Sequence, residues 1–361
     1  MRLGVVFPQT EIGTDPAVIR DYAQAAESAG YHHLLVFDHV LGAKLERFDK
    51  LGRKPPYTDE SPFHEVFVLF GYLGACTQQL ELVTGIVILP QRQTALVAKQ
   101  AAAVDVLTRG RLRLGVGIGS GDSAILNLAE RPSTLDDLRA YIETVRALHA
   151  KGETTWRGRM VRLTWAKRAI PIYLSAEGPR TLELAGEIAD GVIVNVGLEP
   201  TLVKDAVAHV HTGARRAGRD PSAIDLWTLV RANVTDDVAA GIDEIKMELA
   251  SNVHHVFRFT LDGKHVPSAL ADAIGRVQKG YQPGAHEALG PSPNAALLDG
   301  EPALRAYLAE RFGAVGPPSA VANKLRGVVD AGISGLLVTG FVHERQALIR
   351  ALGERVLSRL A

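Results

Sequence analysis

The chain has 361 residues, of which 47% are hydrophobic, and 40 basic residues balance 40 acidic ones. This zero net charge gives no indication of a nucleic-acid partner or a membrane surface, and no uncharged apolar run reaches the roughly 18 residues that a membrane span requires. Cys76 is the only cysteine, which excludes an intrachain disulfide and a cluster of thiolate ligands. Because the sequence begins directly with a predicted strand, we expect no signal peptide and a cytoplasmic protein.

Taken in chain order, the first part of the sequence alternates short apolar runs with longer helical patterns. Leu3–Phe7 is the first predicted strand, and a helix follows from Pro16 to Gly30, with proline at its start and glycine at its end. His33–Phe37 is the second predicted strand. A polar loop then leads to a second helix over Pro62–Thr77.

Leu82–Leu89 and Arg111–Ile118 are the third and fourth predicted strands, and a helix joins them. Both runs are apolar on both faces, which is typical of strands covered on both sides. Two strands joined by a helix are parallel. The same alternation continues with strands at Ile170–Ala176, Val192–Val196, Ile224–Val234 and Gly335–Thr339.

Eight strands alternating with helices predict an α/β protein with a TIM (β/α)8 barrel. We expect one barrel domain over residues 1–361, with an insertion at residues 251–312, before the last strand, that shapes the active-site mouth. An open doubly wound sheet is the alternative architecture. In a barrel the active site lies at the carboxyl ends of the strands, and these ends can be located in the sequence.

Asp38 and His39 directly follow the second predicted strand, with no turn residue between. Burying two ionisable groups at a strand end is costly unless they are bonded to something. The functional interpretation is a histidine oriented at a reacting centre with an aspartate as its partner or as a ligand acceptor. The alternative is an aspartate that caps the next loop and a histidine on the rim.

A glycine-rich segment, GVGIGSG at residues 115–121, lies at the end of the fourth predicted strand and is followed by Asp122 and Ser123. Bare backbone amides there can approach a ring or a phosphate closely, and the carboxylate and hydroxyl can bind a cofactor or substrate. Alternatively, the glycines relieve crowding in the barrel and Asp122 caps a helix. A Rossmann dinucleotide site would also need an acidic residue at the end of a second strand, where the sequence predicts a helix.

Ala176, Glu177 and Gly178 pass from the fifth predicted strand straight into a helix. The small residues of this segment and the helix N-terminus suit an anion or a ring edge, although a tight turn with proline at the first helical position explains the pattern equally well. We expect no metal site, because no histidine and carboxylate spacing fits one. A nucleophile elbow is also absent from the sequence.

Four segments together resemble the bacterial-luciferase-like flavin and deazaflavin oxidoreductases. They are VFDHV at the second strand, TGIVILP with the following R and AKQAAAVD at the third, LGVGIGSGDS at the fourth, and PIYLSAEGPRTLELAGEIADGVIVN from Pro171 to Asn195. The last segment is similar to the branch of this family that contains methylenetetrahydromethanopterin reductase, which uses coenzyme F420. The resemblance spans nearly the whole chain.

The resemblance implies a flavin-like ring held at the carboxyl ends of the strands. It implies that Asp38 contacts the coenzyme and that His39 lies near the redox centre. A non-proline cis peptide at Gly85-Ile86 would lie under the ring. Matched segment by segment, the residues lining the site would be Gly121, Asp122 and Ser123, and those holding the coenzyme tail would be Ala176, Glu177 and Gly178.

From these residues we expect a homodimeric oxidoreductase that transfers a hydride between F420 and a small organic substrate. In this interpretation His39 and Asp122 are catalytic, and Asp38, Gly85, Ile86, Gly121, Ser123, Ala176, Glu177 and Gly178 bind the coenzyme. An FMN-dependent monooxygenase that uses reduced flavin and oxygen is the first alternative. A non-catalytic flavin-binding protein and a nicotinamide dehydrogenase on a Rossmann sheet are the others.

Overall fold

The computed structural model describes residues 1–42, 44, 46, 57, 59–119, 133–165, 168–257, 260–286 and 291–360. Within these ranges the strands are β1 (Arg2–Val6), β2 (His33–Val36), β3 (Glu81–Thr84), β4 (Val87–Ile88), β5 (Leu112–Gly117), β6 (Glu153–Trp156), β7 (Arg159–Arg162), β8 (Ile172–Ala176), β9 (Gly191–Val194), β10 (Asp225–Val234), β11 (Gly313–Gly316) and β12 (Gly335–Thr339). All of the predicted strands form at or within two residues of their predicted starts.

The helices in the same ranges are α1 (Pro16–Ser28), α2 (Val66–Cys76), α3 (Thr94–Leu107), α4 (Leu135–Lys151), α5 (Pro179–Ile188), α6 (Pro200–Arg216), α7 (Val238–Glu244), α8 (Lys246–Val256), α9 (Ala271–Gly280), α10 (Pro293–Ala296), α11 (Pro302–Phe312), α12 (Pro318–Asp330) and α13 (Arg345–Ala351). None of the described helices is both long enough and apolar enough to cross a membrane.

Eight parallel strands close into a barrel in the order β1, β2, β3, β5, β8, β9, β10 and β12, and β12 pairs with β1 to complete the ring. The closed ring excludes the open doubly wound sheet, so the TIM-barrel prediction is confirmed. Because every strand is joined to the next by at least one helix, all carboxyl ends meet at one end of the barrel.

Two apolar layers stabilise the barrel. The outer layer lies between strands and helices and contains most of the buried aliphatic residues. The inner layer fills the lower half of the barrel with Val6, Leu35, Val83, Tyr173, Ile193, Trp227 and Leu337. At the amino end, Asp225 accepts hydrogen bonds from Tyr173 (2.6 Å) and Trp227 (2.9 Å) and pairs with Arg2. This network closes the lower end and leaves the carboxyl end for a ligand.

Three local features differ from the sequence analysis or were missed by it. The third predicted strand, Leu82–Leu89, is interrupted by a cis peptide between Gly85 and Ile86, so that it forms β3 and β4 instead of one strand. The segment 151–168, to which the sequence analysis assigned no strand, contains the antiparallel hairpin β6–β7. Residues 313–316 form β11, a parallel strand beside the upper half of β10 that the sequence did not indicate.

Candidate active site

The inside of the barrel is exposed at the carboxyl end of β8. On β8, Ser175 lies two residues after the inward-facing Tyr173 and therefore on the same face. Ser175 is exposed, although its neighbours Leu174 and Ala176 are only 1% and 2% exposed. Phe37 and Leu229 cover the inner apolar layer from above and are half-buried. Among the described residues, Ser175 is thus an inward-facing position that solvent reaches from this end.

Asp38, at the end of β2, is held by an arginine that the sequence reasoning did not assign to the site. Arg92 donates from Nη2 to Asp38 Oδ1 at 2.6 Å and from Nε to Oδ2 at 3.3 Å, while its Nη1 reaches Glu65 Oε1 at 2.7 Å. The Asp38 side chain is fully buried. Burial raises the pKa of Asp38, and the neighbouring Arg92 opposes that rise. The arginine of the TGIVILP-x-R segment was the signal for this pair.

The side chain of His39 lies in an aromatic cluster and not against the side chain of Asp38. Its ring centroid is 4.8 Å from that of Tyr57 and 5.1 Å from that of Phe63. Tyr57 in turn contacts His286 of the insertion, at 5.7 Å between ring centroids. Asp38 and His39 follow the end of β2, and their side chains contact different partners.

The insertion is anchored at this cluster by a buried hydrogen-bonded group. Tyr281 Oη and His286 Nδ1 are 2.5 Å apart, and Ser251 Oγ lies 3.0 Å from each of them. Burial lowers the pKa of His286 to about 3, so this histidine is neutral at physiological pH.

The cis peptide between Gly85 and Ile86 is present as predicted. The described glycines of β5 accommodate it: a Cβ added to Gly115 would lie 1.9 Å from the Thr84 carbonyl oxygen, and one added to Gly117 would lie 2.1 Å from Ile86 Cδ1. The crowding alternative therefore explains Gly115 and Gly117. The predicted site residues Gly121, Asp122 and Ser123 lie outside the described residues.

Ala176, Glu177 and Gly178 end β8 and begin α5. Gly178 is the N-cap of α5, whose first turn has no side-chain cap. Glu177 Oε1 accepts a hydrogen bond from Asn195 Nδ2 at 2.9 Å. This contact links the ends of β8 and β9.

Arg231 and Glu248 are further charged residues at this end of the barrel, and the sequence reasoning gave neither a role. Arg231 lies on β10 and donates from Nη1 to Asn195 Oδ1 at 2.7 Å. Glu248 lies on the buried face of α8 and is 5% exposed. Burial raises the pKa of Glu248 to about 7, opposed by Arg231 and by a hydrogen bond from Thr339. A polar residue near a strand end and an acidic residue between Met247 and Leu249 were the available signals.

The described candidate residues thus all lie at the carboxyl end of one barrel, as the strand assignment predicted: Asp38, His39, the Gly85-Ile86 peptide and residues 176–178. Their side chains do not form one contact cluster: Asp38 pairs with Arg92, His39 packs on Tyr57 and Phe63, and Glu177 bonds to Asn195. In the described part of the chain, no group of three or more histidine, cysteine or acidic residues could hold a metal ion.

Comparisons with known proteins give the same architecture. Residues 1–335 match the family model of the luciferase-like monooxygenases. The chain is 25% identical to the 5,10-methylenetetrahydromethanopterin reductase of Methanolobus tindarius, over 99% of this chain and 100% of that protein. It is 23% identical to the F420-dependent glucose-6-phosphate dehydrogenase of Microbacterium testaceum, over 100% and 97%. The solved structure of the coenzyme F420 dependent tetrahydromethanopterin reductase from Methanopyrus kandleri superimposes with a TM-score of 0.72 at 21% identity, covering 100% of this chain and 99% of that one.

Proposed function

Because this chain belongs to the luciferase-like monooxygenase family, it is an oxidoreductase, and we propose that it transfers a hydride between coenzyme F420 and a small organic substrate. The observation that carries the proposal is the end-to-end similarity to a relative named as F420-dependent. The open carboxyl end of the barrel, with the cis peptide at Gly85-Ile86, supports it.

The residues at the mouth fit a flat coenzyme with polar edges. Gly85 and Ile86 are half-buried, and the Ile86 side chain packs against Gly117, so that the Gly85 backbone is free of a side chain of its own toward a ring. Buried oxygen atoms around the mouth have no hydrogen-bond partner in the described structure, namely Glu11 Oε2, Gln91 Oε1 and Glu248 Oε2. Since buried polar atoms are rarely left unpaired, these atoms are suited to a bound ligand. When bound, F420 supplies a carbon that accepts or donates a hydride.

In this proposal the chain's own residues hold and orient the reactants. Gly85 and Ile86 support one face of the coenzyme ring, and Asp38, fixed by Arg92, bonds to its edge. Ala176, Glu177 and Gly178 hold the tail beside the N-terminus of α5, where backbone amides suit an anion. Gly121 and Ser123 complete the coenzyme contacts, and Asp122 bonds the coenzyme or the substrate.

His39 exchanges a proton with the substrate or orients it. Tyr57 and Phe63 restrict its imidazole and exclude water from one side of it, which suits a group that must hold a fixed position during proton transfer. Residues 251–312 shape the mouth, and the contact between Tyr57 and His286 supports that role.

We test the coenzyme first. The purified protein is titrated with F420 and with FMN, following coenzyme fluorescence. F420 should bind at micromolar concentrations or tighter, and more tightly than FMN. If FMN binds more tightly and its reduced form consumes oxygen, the protein is a flavin monooxygenase, the alternative favoured by the family's description. Binding of neither coenzyme at micromolar levels would contradict both proposals.

A His39→Asn variant separates an enzyme from a non-catalytic coenzyme-binding protein. It should bind F420 with unchanged affinity and lose at least 100-fold in turnover, because removing a positioned acid–base group commonly costs 10²–10⁴ in rate. Turnover is measured as bleaching of F420 absorbance with a panel of alcohols, aldehydes and sugar phosphates. Binding without turnover in the wild-type protein, across that panel, would favour the binding-protein alternative.

The proposal includes a homodimer. Val68 and Tyr72 on α2 and Leu96 and Leu107 on α3 are between 37% and 73% exposed, and the two helices pack against each other. Several exposed apolar side chains on adjoining helices suit a self-association surface. We also infer a cytoplasmic location, since one cysteine in 361 residues fits a reducing compartment.

A further inference from the structure

Among the described residues, Arg231 is a buried guanidinium without a counter-ion. It is 8% exposed, and its single hydrogen bond to a described residue goes to the neutral amide of Asn195. Its Nε is buried and has no acceptor. No carboxylate of the described residues lies within ion-pair distance of it, although buried arginine is almost always paired. Within the described part of the chain, therefore, no anion balances the charge of Arg231.

Two carboxyl groups lie near Arg231 without forming an ion pair with it. Glu177 and Glu248 are both close enough to favour the charged form of Arg231. Glu177, however, is bonded to Asn195 Nδ2. Glu248 is buried, and its Oε2 has no partner.

The position of Arg231 points into the barrel mouth. Trp227 and Leu229 on the same strand belong to the inner layer, and the alternation along β10 puts Arg231 on that inward face. In the closed ring β10 is four strands from β3 in either direction. Arg231 therefore lies across the barrel from the Gly85-Ile86 peptide, on the side that a coenzyme ring resting on that peptide leaves for the substrate.

We propose that Arg231 binds an anionic group, a carboxylate or a phosphate, of the substrate that enters the barrel mouth. The assignment of this anion to a substrate rests on the proposed function, whereas the anion site itself is inferred from Arg231 and its surroundings. A guanidinium fork suits both anions because two parallel N–H groups match two oxygens. The coenzyme's own phosphate is the other source of the same chemistry.

Glu248 makes this site sensitive to pH. The groups that face it are Arg231 on β10, Thr339 on β12, Arg345 on α13 and Glu11 after β1. Burial raises its pKa to about 7. Above that pH the ionised carboxylate supplies negative charge near Arg231 and repels an incoming anion, and below it the neutral acid does not.

The experiment measures sulfate and acetate binding to the coenzyme-free protein by titration calorimetry, with sodium chloride at matched ionic strength as the reference. Sulfate stays fully ionised between pH 6 and pH 8.5. We expect wild-type protein to bind sulfate at least threefold more tightly at pH 6 than at pH 8.5. Arg231→Gln should weaken binding at least tenfold, and Glu248→Gln should remove the pH dependence.

Arg276→Gln is the matched control, since Arg276 is an exposed arginine that pairs with Glu301 on a distant surface. It should bind sulfate as the wild type does. Sulfate binding by Arg231→Gln that equals the wild type would overturn the proposal. If that variant does not fold, crystals of the wild-type protein soaked in sulfate decide the question, and a sulfate absent from the Arg231 guanidinium counts against it.

F420 affinity identifies the source of the anion. If Arg231→Gln binds F420 with unchanged affinity and no longer binds sulfate, the anion belongs to the substrate. A tenfold loss of F420 affinity with sulfate competing against F420 would overturn the substrate assignment and give the anion to the coenzyme. If neither F420 nor FMN binds while sulfate still binds at Arg231, the proposed function fails and the anion site stands.

Discussion

The adjacent residues Asp38 and His39 illustrate what one residue's position can and cannot reveal. Their place after an apolar strand predicts a polar strand end, and the structure has both at the mouth of the barrel. Their partners come from elsewhere in the chain. Arg92 is 54 residues from Asp38, and Tyr57 and Phe63 lie in the segment that leads to α2.

Removing Arg92 should expose the dependence of Asp38 on its cation. Arg92→Met leaves a fully buried carboxylate without its arginine, and breaking a buried ion pair commonly costs about 3–5 kcal/mol in the free energy of unfolding. Urea denaturation at pH 7 measures this loss. Arg162→Met, which breaks an exposed pair with Glu153, should change stability by less than about 1 kcal/mol. Equal losses of unfolding free energy in the two variants would argue against a larger contribution of the buried pair to stability.

Glu248 should make stability depend on pH in a defined direction. Its pKa is raised by burial from 4.5 to about 7, so the folded protein binds more protons than the unfolded chain between these values. The free energy of unfolding therefore falls as the pH rises through this window. Glu248→Gln, which cannot ionise, should be more stable than wild type at pH 8 by on the order of 3 kcal/mol and differ little at pH 4.5. A gain of the same size at both pH values would mean that ionisation of Glu248 is not the cause.

At the scale of elements, the glycines of β5 are explained by the neighbouring strand. Gly115 and Gly117 lie where the chain of β3 and β4 bends at Gly85-Ile86. A strand with side chains at these positions would collide with Thr84 and Ile86. The sequence pattern alone was compatible with a ligand loop or with packing, and only the register between β4 and β5 separates the two.

Gly115→Ala should destabilise the protein by at least about 2 kcal/mol, because the added Cβ would lie 1.9 Å from a backbone carbonyl oxygen that cannot rotate away. Gly275→Ala is the matched control, since nothing lies within 4 Å of its added Cβ and the residue is exposed within α9. That change should stabilise the protein by up to about 1 kcal/mol. Thermal unfolding of both variants is the measurement, and an unaffected Gly115→Ala would contradict the crowding explanation.

The elements that sequence reasoning missed are short and depend on distant partners. The hairpin β6–β7 is exposed, so that its residues lack the apolar alternation of a half-buried strand. β11 consists of Gly313–Gly316 and exists because the upper half of β10 extends beyond its pairing with β9. Such strands are defined by their neighbours rather than by their own composition.

For the whole molecule, the proposed dimer makes the surface of α2 and α3 testable. Val68→Glu combined with Leu107→Glu places two charges on the exposed apolar side chains of these helices, which are 73% and 66% exposed. We expect this variant to be monomeric and folded, because a buried unpaired charge strongly disfavours an interface. Light scattering after size-exclusion chromatography measures the mass.

Val238→Glu, at an apolar position of α7 that is 42% exposed, is the control and should leave the mass unchanged. If the variant with both changes on α2 and α3 is still a dimer, the interface lies on another surface. If the wild-type protein is a monomer, the proposed dimer is wrong.

The sequence by itself determined the (β/α)8 architecture and the carboxyl ends of its strands, because apolar periodicity and turn residues are local properties of the chain. It also determined the location of Gly85-Ile86, through a motif at one point of the chain. Only the tertiary structure decided the partners of the charged residues. Arg92 meets Asp38 and Arg231 meets Asn195 because the pairing of neighbouring strands, β2 with β3 and β9 with β10, brings strand ends together across 54 and 36 residues of sequence. The contacts of charged residues inside the mouth depend on that pairing, which no local pattern encodes.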